Sequence, residues 1–129
     1  MKLVYLSYPY KGDIAKNTRN ARILGQILMR NHPDWFVIVP HTAIDGLIFD
    51  HIPNSDQVTL SQHLQAVEYE YRVLEVIDIF VIGTPEGEES EGMIWELGYI
   101  NHLNSNRKKK IEIIRVTSGG QSSEKDQDH

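Results

Sequence analysis

The chain has 129 residues, enough for one domain with a buried core and too few for two. Apolar residues make up 40% and charged residues 24%, the balance of an ordinary globule, and a formal charge of −5 argues against a general nucleic-acid binder. Cysteine is absent, which excludes disulfides, thiol chemistry and Cys-ligated metals. No apolar run approaches the ~20 residues that span a bilayer. The N-terminus carries no signal-peptide h-region, so the expectation is a cytoplasmic protein with no membrane partner.

Lys2–Ser7 reads as a buried strand. Asp13 is placed to cap a helix over residues 14–30, where Ile14, Ala21, Leu24 and Leu28 keep helical spacing. Trp35–Val39 is a second short strand, closed by Pro40. Scattered Gly, Pro, Asp and Asn between His41 and Val58 predict a loop long enough to carry function. Helical spacing resumes over residues 60–77 with Leu60, Leu64, Val67, Tyr71 and Leu74. A third strand follows at Ile77–Gly83, a Ser90-capped helix runs to about Leu103, and Ile111–Val116 is the last strand. From Thr117 the chain is Ser, Gly, Gln and charge, the composition of a disordered tail. Apolar strands alternating with helices predict an α/β fold. The expectation is a single-domain, doubly wound parallel sheet (Rossmann/flavodoxin-like) of four to five strands, occupying residues 1–116. Ligands in such sheets bind beyond the C-terminal strand ends, here Ser7–Gly12, Pro40-His41 and Gly83–Ser90.

Two glutamates fall on the wrong side of their helices. At about 100° per residue, Glu70 lies inside the apolar arc of the 60–77 helix, between Leu74 and Ile77. Glu96 lies within the stripe of Met93, Leu97, Ile100 and Leu103. A core-facing carboxylate is costly unless it is paired or hydrogen-bonded. Each could reach the surface or meet an Arg or Lys; two on neighbouring helices point to a shared site with shifted pKa values. Paired carboxylates serve retaining glycosyl transfer, one attacking the anomeric carbon while the other donates a proton. The preceding motif supports a ligand there. Ser90-Glu91-Gly92-Met93 opens a helix directly after a strand and a Gly- and Glu-rich loop, and outward N–H groups at such a start favour an anion.

Over roughly residues 2–116 the chain resembles the nucleoside 2-deoxyribosyltransferase superfamily. The first strand ends Tyr5-Leu6-Ser7-Tyr8-Pro9-Tyr10-Lys11-Gly12, an aromatic followed by a small-residue turn. Pro40-His41 follows the second strand, and Glu70 lies eight positions before Asp78. Ser90-x-Gly92-x-x-x-Glu96 completes the pattern. The resemblance implies that Glu96 is the nucleophile and that Glu70 stands where the family has a catalytic Asp. Position 90 separates branches: deoxyribosyltransferases acting on free nucleosides carry Asp there, whereas the branch hydrolysing nucleoside 5′-monophosphates carries Ser. Ser90 and the basic Lys11 are similar to the latter, and a hydroxyl, backbone N–H groups and a cation suit a phosphate. The acidic run Glu86–Glu91 opposes this unless its side chains face solvent. Tyr-Pro-Tyr-Lys-Gly-Asp together with Ser-Glu-Gly-Met is similar to uncharacterised superfamily members of phages and mobile elements. Because the family completes its pocket from a second subunit, the resemblance also implies a homodimer or higher homo-oligomer.

The remaining candidates carry less. Tyr5, Tyr8 and Tyr10 are suited to stack on a base or sugar, with core or loop packing as the alternative. His41 is a candidate substrate contact or a structural loop residue, while Asp45 is suited to help a bound sugar or, the favoured reading, to cap a turn. Asp78 is expected to bond backbone at the strand entrance. The basic run Arg107–Lys110 reads as a solvated face. The six His show no metal-ligand spacing, and no Walker or Gly-x-Gly-x-x-Gly loop is present, so neither metal nor cofactor is expected. The composite expectation is an N-glycosidase of nucleoside 5′-monophosphates. Its site comprises Glu96 and Glu70 with Tyr5, Ser7, Tyr8, Tyr10, Lys11, Gly12, His41, Ser90, Gly92 and Met93. A base-exchanging transferase and a non-catalytic nucleotide-binding module are the alternatives.

Overall fold

The computed structural model describes residues 1–10, 12–45, 58–84 and 89–117. Four strands form one parallel sheet: β1 (Lys2–Ser7), β2 (Trp35–Ile38), β3 (Ile79–Gly83) and β4 (Glu112–Val116). Their order across the sheet is β2-β1-β3-β4. Register sets Val4 between Val37 and Ile79, and Phe80 opposite Ile113. From β1 the chain moves outward to β2, then returns past β1 to β3 and continues to β4. Successive connections therefore leave β1 and β3 in opposite directions, which opens a crevice at the carboxyl ends of those two strands.

Strand pleating divides the core into two layers. Val4, Leu6 and Val81 face helix α1 (Ile14–Asn31), meeting Ala21, Leu24 and Leu28. Tyr5, Phe80 and Ile82 face the opposite way, towards Leu74 of α2 (Leu60–Leu74) and Met93 and Ile100 of α3 (Glu91–Ser105). Tyr5 stacks on Phe80 with ring centroids 5.9 Å apart. Each such fully buried side chain contributes about 1.5–3 kcal/mol relative to exposure. This alternation matters for the site, because it sends the odd-numbered residues at the end of β1 towards α3.

The caps follow from local chemistry. The Asp13 carboxylate accepts from the Lys16 N–H at 3.1 Å, as the sequence predicts. Thr59 and Gln62 form a reciprocal capping box at the start of α2. Ser90 accepts from the Met93 N–H at 3.3 Å. Gly12, with φ of +96°, turns the chain between β1 and α1 in a conformation that side chains resist.

Three expectations change in detail. The second helix ends at Leu74 rather than Ile77, because the Glu75 carbonyl accepts from Arg107 at 2.5 Å and Val76 turns back onto Val73. Leu60 and Leu64, placed in its apolar arc, are 72% and 57% exposed, since only the C-terminal part of α2 reaches the sheet. The segment after His41 is also not all loop: His41–Asp45 forms a π-helical turn. The predicted tail, from residue 118, lies outside the described residues.

Gly83 ends β3 under close packing. A Cβ there would meet the Tyr8 ring at 2.8 Å and Leu24 at 2.9 Å. Gly83→Ala is expected to destabilise the fold by about 1–3 kcal/mol, read from the chemical denaturation midpoint.

Candidate active site

The end of β1 and the second turn of α3 meet over one carboxylate. Glu96 is buried, and its two oxygens have separate donors. The Tyr5 hydroxyl donates to Oε2 at 2.5 Å and the Ser7 hydroxyl donates to Oε1 at 2.7 Å. Both donors come from β1 because residues 5 and 7 share the α3 face of the sheet. Burial pushes Glu96 up to about 7, against the lowering effect of the Ser7 and Tyr5 hydrogen bonds, and the Asp45 charge adds to the rise. Burial and the nearby Glu96 hold Tyr5 well above its ordinary value, so this phenol stays a donor.

A second carboxyl pair stands beside it. Glu70, partly buried on α2, is hydrogen-bonded to the buried Asp45 at the end of the π-helical turn. Burial, that hydrogen bond and the charges of Asp45 and Glu96 raise Glu70 far above the usual carboxylate range. Burial also raises Asp45, against the opposing effects of its bond to Glu70 and the His63 charge. Asp45 is thus turned inward on Glu70, where the sequence favours a turn cap over a sugar contact. Its position in a long loop, four residues after His41, was the available signal. Tyr71 was also missed as a site neighbour: burial and the charges of Glu96 and Glu70 raise its phenol, and its ring stacks on Tyr99 at 4.7 Å.

His41 fixes the loop after β1. Its ring is buried and Nε2 donates to the Pro9 carbonyl at 2.8 Å. Nδ1 is buried without a hydrogen-bond partner among the described residues. Burial lowers its pKa against the bond to Pro9, which keeps the imidazole neutral. Tyr10 lies 5.1 Å from this ring and Tyr8 meets it edge-on at 6.0 Å. Burial and the charges of Asp45 and Glu70 raise the Tyr10 phenol. Tyr8 is buried with the α1-side core, and Tyr5 reaches Glu96 rather than open space.

The start of α3 forms another wall. The first N–H groups of a helix have no intrahelical partner, and a Cβ on Gly92 would find nothing within 4 Å. Ser90 caps this end, Met93 is buried in the α2/α3-side core, and Glu96 lies ~9 Å further along the axis. Glu89, from the acidic run, is ion-paired with Arg115 of β4. Lys11 and residues 86–88 of that run lie outside the described residues. The structure therefore gathers Tyr5, Ser7, Tyr10, Glu70 and Glu96 and adds Asp45. Among the described residues, no group of His, Asp and Glu has the arrangement to hold a metal ion.

The opposite end of the sheet is structural. The Asp78 carboxylate accepts from the Leu3 N–H at 2.7 Å, which with Lys109 holds it below its ordinary value. Lys110 donates to the carbonyls of Asn104 and Arg107, so the basic run braces the end of α3.

No protein-family model matches the chain, and no curated protein does. Among solved structures, it is similar to a 2-deoxyribosyltransferase of the psychrotolerant bacterium Bacillus psychrosaccharolyticus. The TM-score is 0.56 at 15% identity, over 91% of this chain and 74% of that one. The CMP N-glycosidase of Clostridium botulinum aligns with a TM-score of 0.45 at 19% identity, over 90% of this chain and 69% of that one. The first likeness establishes the fold: a four-stranded parallel α/β domain of the kind that carries 2-deoxyribosyltransferase chemistry in that relative. No helix among the described residues is long and apolar enough to cross a membrane.

The raised carboxyls have a thermodynamic signature. The unfolded chain releases the Glu96 proton near the ordinary value of 4.5 and the folded chain near 7. The folded state therefore binds more protons across that window, and stability falls as pH rises through it. Glu70 and Asp45 act in the same direction. Glu96→Gln removes one share, so its drop in melting temperature between about pH 5 and about pH 8 is expected to be smaller than that of the native chain. An equal drop would contradict the assignment.

Proposed function

We propose that the protein cleaves the N-glycosidic bond of a nucleoside 5′-monophosphate and belongs to the nucleoside 2-deoxyribosyltransferase superfamily. One observation carries the reading: Glu96 is buried at the carboxyl end of the β1–β3 seam with each oxygen held by its own hydroxyl. A carboxylate so oriented is preorganised to attack C1′ of a sugar lying across the crevice. Tyr5 and Ser7 keep enough negative character on it for ionisation near neutrality, while burial leaves it poorly solvated and reactive.

Glu70 has the opposite protonation state and so the opposite role. As Glu96 forms an ester to C1′, the C1′–N bond breaks with its electron pair on the base, and Glu70 gives its proton to that base. Water then attacks the ester, Glu70 takes a proton from it, and the sugar phosphate leaves with Glu96 restored. Environments that push two carboxyls apart in pKa identify the acid and the nucleophile. The 5′-phosphate is assigned to the α3 N-terminus, Ser90 and Lys11, with Gly92 leaving the approach open. Gly12 shapes the loop that carries Lys11, and Tyr8, Tyr10 and His41 order the wall on which the base or sugar rests. If a second base intercepts the ester, the same site exchanges bases; the fold shared with a 2-deoxyribosyltransferase favours keeping this second reading. The protein is expected to act as a homo-oligomer, for which the exposed Leu60, Leu64, Ile94 and Trp95 are available apolar contacts.

Base release from a panel of nucleoside 5′-monophosphates and matching nucleosides, followed by chromatography, tests the proposal. Release is expected from the monophosphates and is expected to fall by roughly 10³ or more in Glu96→Gln. No release, even with an acceptor base, favours a non-catalytic nucleotide-binding module instead. The rate should rise with pH through about 7 as Glu96 ionises, then fall when Glu70 loses its proton. Ser90→Asp puts a negative charge where the phosphate is assigned, so preference should move from nucleotides to nucleosides; an unchanged preference removes Ser90 from the phosphate site.

A further inference from the structure

We infer that Asp45 is a positioning residue that holds the catalytic proton on Glu70, the two carboxyls forming one hydrogen-bonded pair that shares a single proton. The role given to that proton rests on the proposed glycosidase reading; the pairing itself does not.

The argument begins with an unsatisfied atom. Asp45 is 5% exposed and its buried Oδ1 has no hydrogen-bond donor among the described residues. A carboxylate oxygen in that position costs several kcal/mol. The group facing it is Glu70, from a different element, within hydrogen-bonding reach. Two ionised carboxylates cannot share a buried contact, whereas one proton between them converts a repulsion into a strong hydrogen bond. The orphaned acceptor is therefore explained if Glu70 carries the proton.

The surroundings fix which member holds it. The groups acting on the pair are Tyr5 from β1, Tyr10 from the following loop, His63 from α2 and Glu96 from α3. His41, on Asp45's own turn, is kept neutral by burial, and Tyr71 of α2 senses Glu70 and Glu96. His63 favours the ionised form of Asp45, and Glu96 disfavours the ionised form of Glu70. The gradient places the proton on Glu70. Glu70 is longer than an Asp would be, and its bond to Asp45 restrains that extra reach. The pair is built from a loop residue and a helix residue, so it forms only when the π-helical turn docks on α2.

The test follows the carboxyl carbons by NMR in the free, full-length protein, with ¹³C at Glu Cδ and Asp Cγ and the Glu70 signal identified by its loss in Glu70→Gln. In Asp45→Asn, the Glu70 midpoint is expected to move down by about one pH unit or more, and further than that of Glu96, which loses only the smallest of its contributions, the Asp45 charge. An unmoved or raised Glu70 midpoint overturns the inference. Should Asp45→Asn fail to fold, Glu70→Leu decides reciprocally: the Asp45 midpoint must rise, because the hydrogen bond that lowers it is lost, and an unchanged or lowered value overturns the inference. Where base release is observed, the alkaline limb of the Asp45→Asn rate profile should move with Glu70, and further than the acid limb set by Glu96. A shifted Glu70 midpoint in a protein that releases no base would leave the pair standing and remove only the glycosidase reading.

Discussion

Burying a carboxylate between a sheet and a helix costs several kcal/mol unless its oxygens find donors. Glu96 meets that requirement through two hydroxyls on one strand, and much of the domain's arrangement serves this contact. The donors lie two residues apart, so only a strand presents both to the same side. Tyr5 is held in place by stacking on Phe80 of the neighbouring strand. Met93 and Ile100, flanking Glu96 on α3, pack into the same layer and fix the helix height. The β1–β3 adjacency supplies the crevice, and Glu96 is buried at its carboxyl end.

Around this centre, three acids experience three environments. Glu96 has donors, so it ionises near neutrality. Glu70 has another acid for a neighbour and retains its proton. Asp45 is buried, yet His63 and the bond to Glu70 draw it towards the ionised form. No metal is needed to separate them, because burial and hydrogen-bond direction suffice. The arrangement weakens the fold as pH rises, which is the usual cost of a site that keeps charge out of water.

The strand and helix order, the Asp13 and Ser90 caps and the burial of Glu96 were legible because each depends on local periodicity or a local side chain. Asp78 was legible for the same reason, as a short acid at a strand entrance. Sheet order was not written in any single segment, since hydropathy does not say which strand lies beside which. The service of Tyr5 and Ser7 to Glu96 joins residues 91 and 89 positions apart, and depends on that order. Asp45 could be read as a sugar contact or a turn cap but not as a partner of Glu70, because loop residues have no periodicity to violate. Leu60 and Leu64 misled in the opposite sense: they share the apolar arc of α2 but extend beyond the edge of its packing.

The central claim is that Glu96 forms a bond to C1′. The most direct measurement is intact-protein and peptide mass spectrometry after incubation with a 2′-fluorinated nucleoside 5′-monophosphate, in which the electron-withdrawing fluorine slows hydrolysis of the ester. The account predicts one added sugar phosphate, located on Glu96 and absent from Glu96→Gln. An adduct on another residue, or base release with no adduct under any quench, would contradict it.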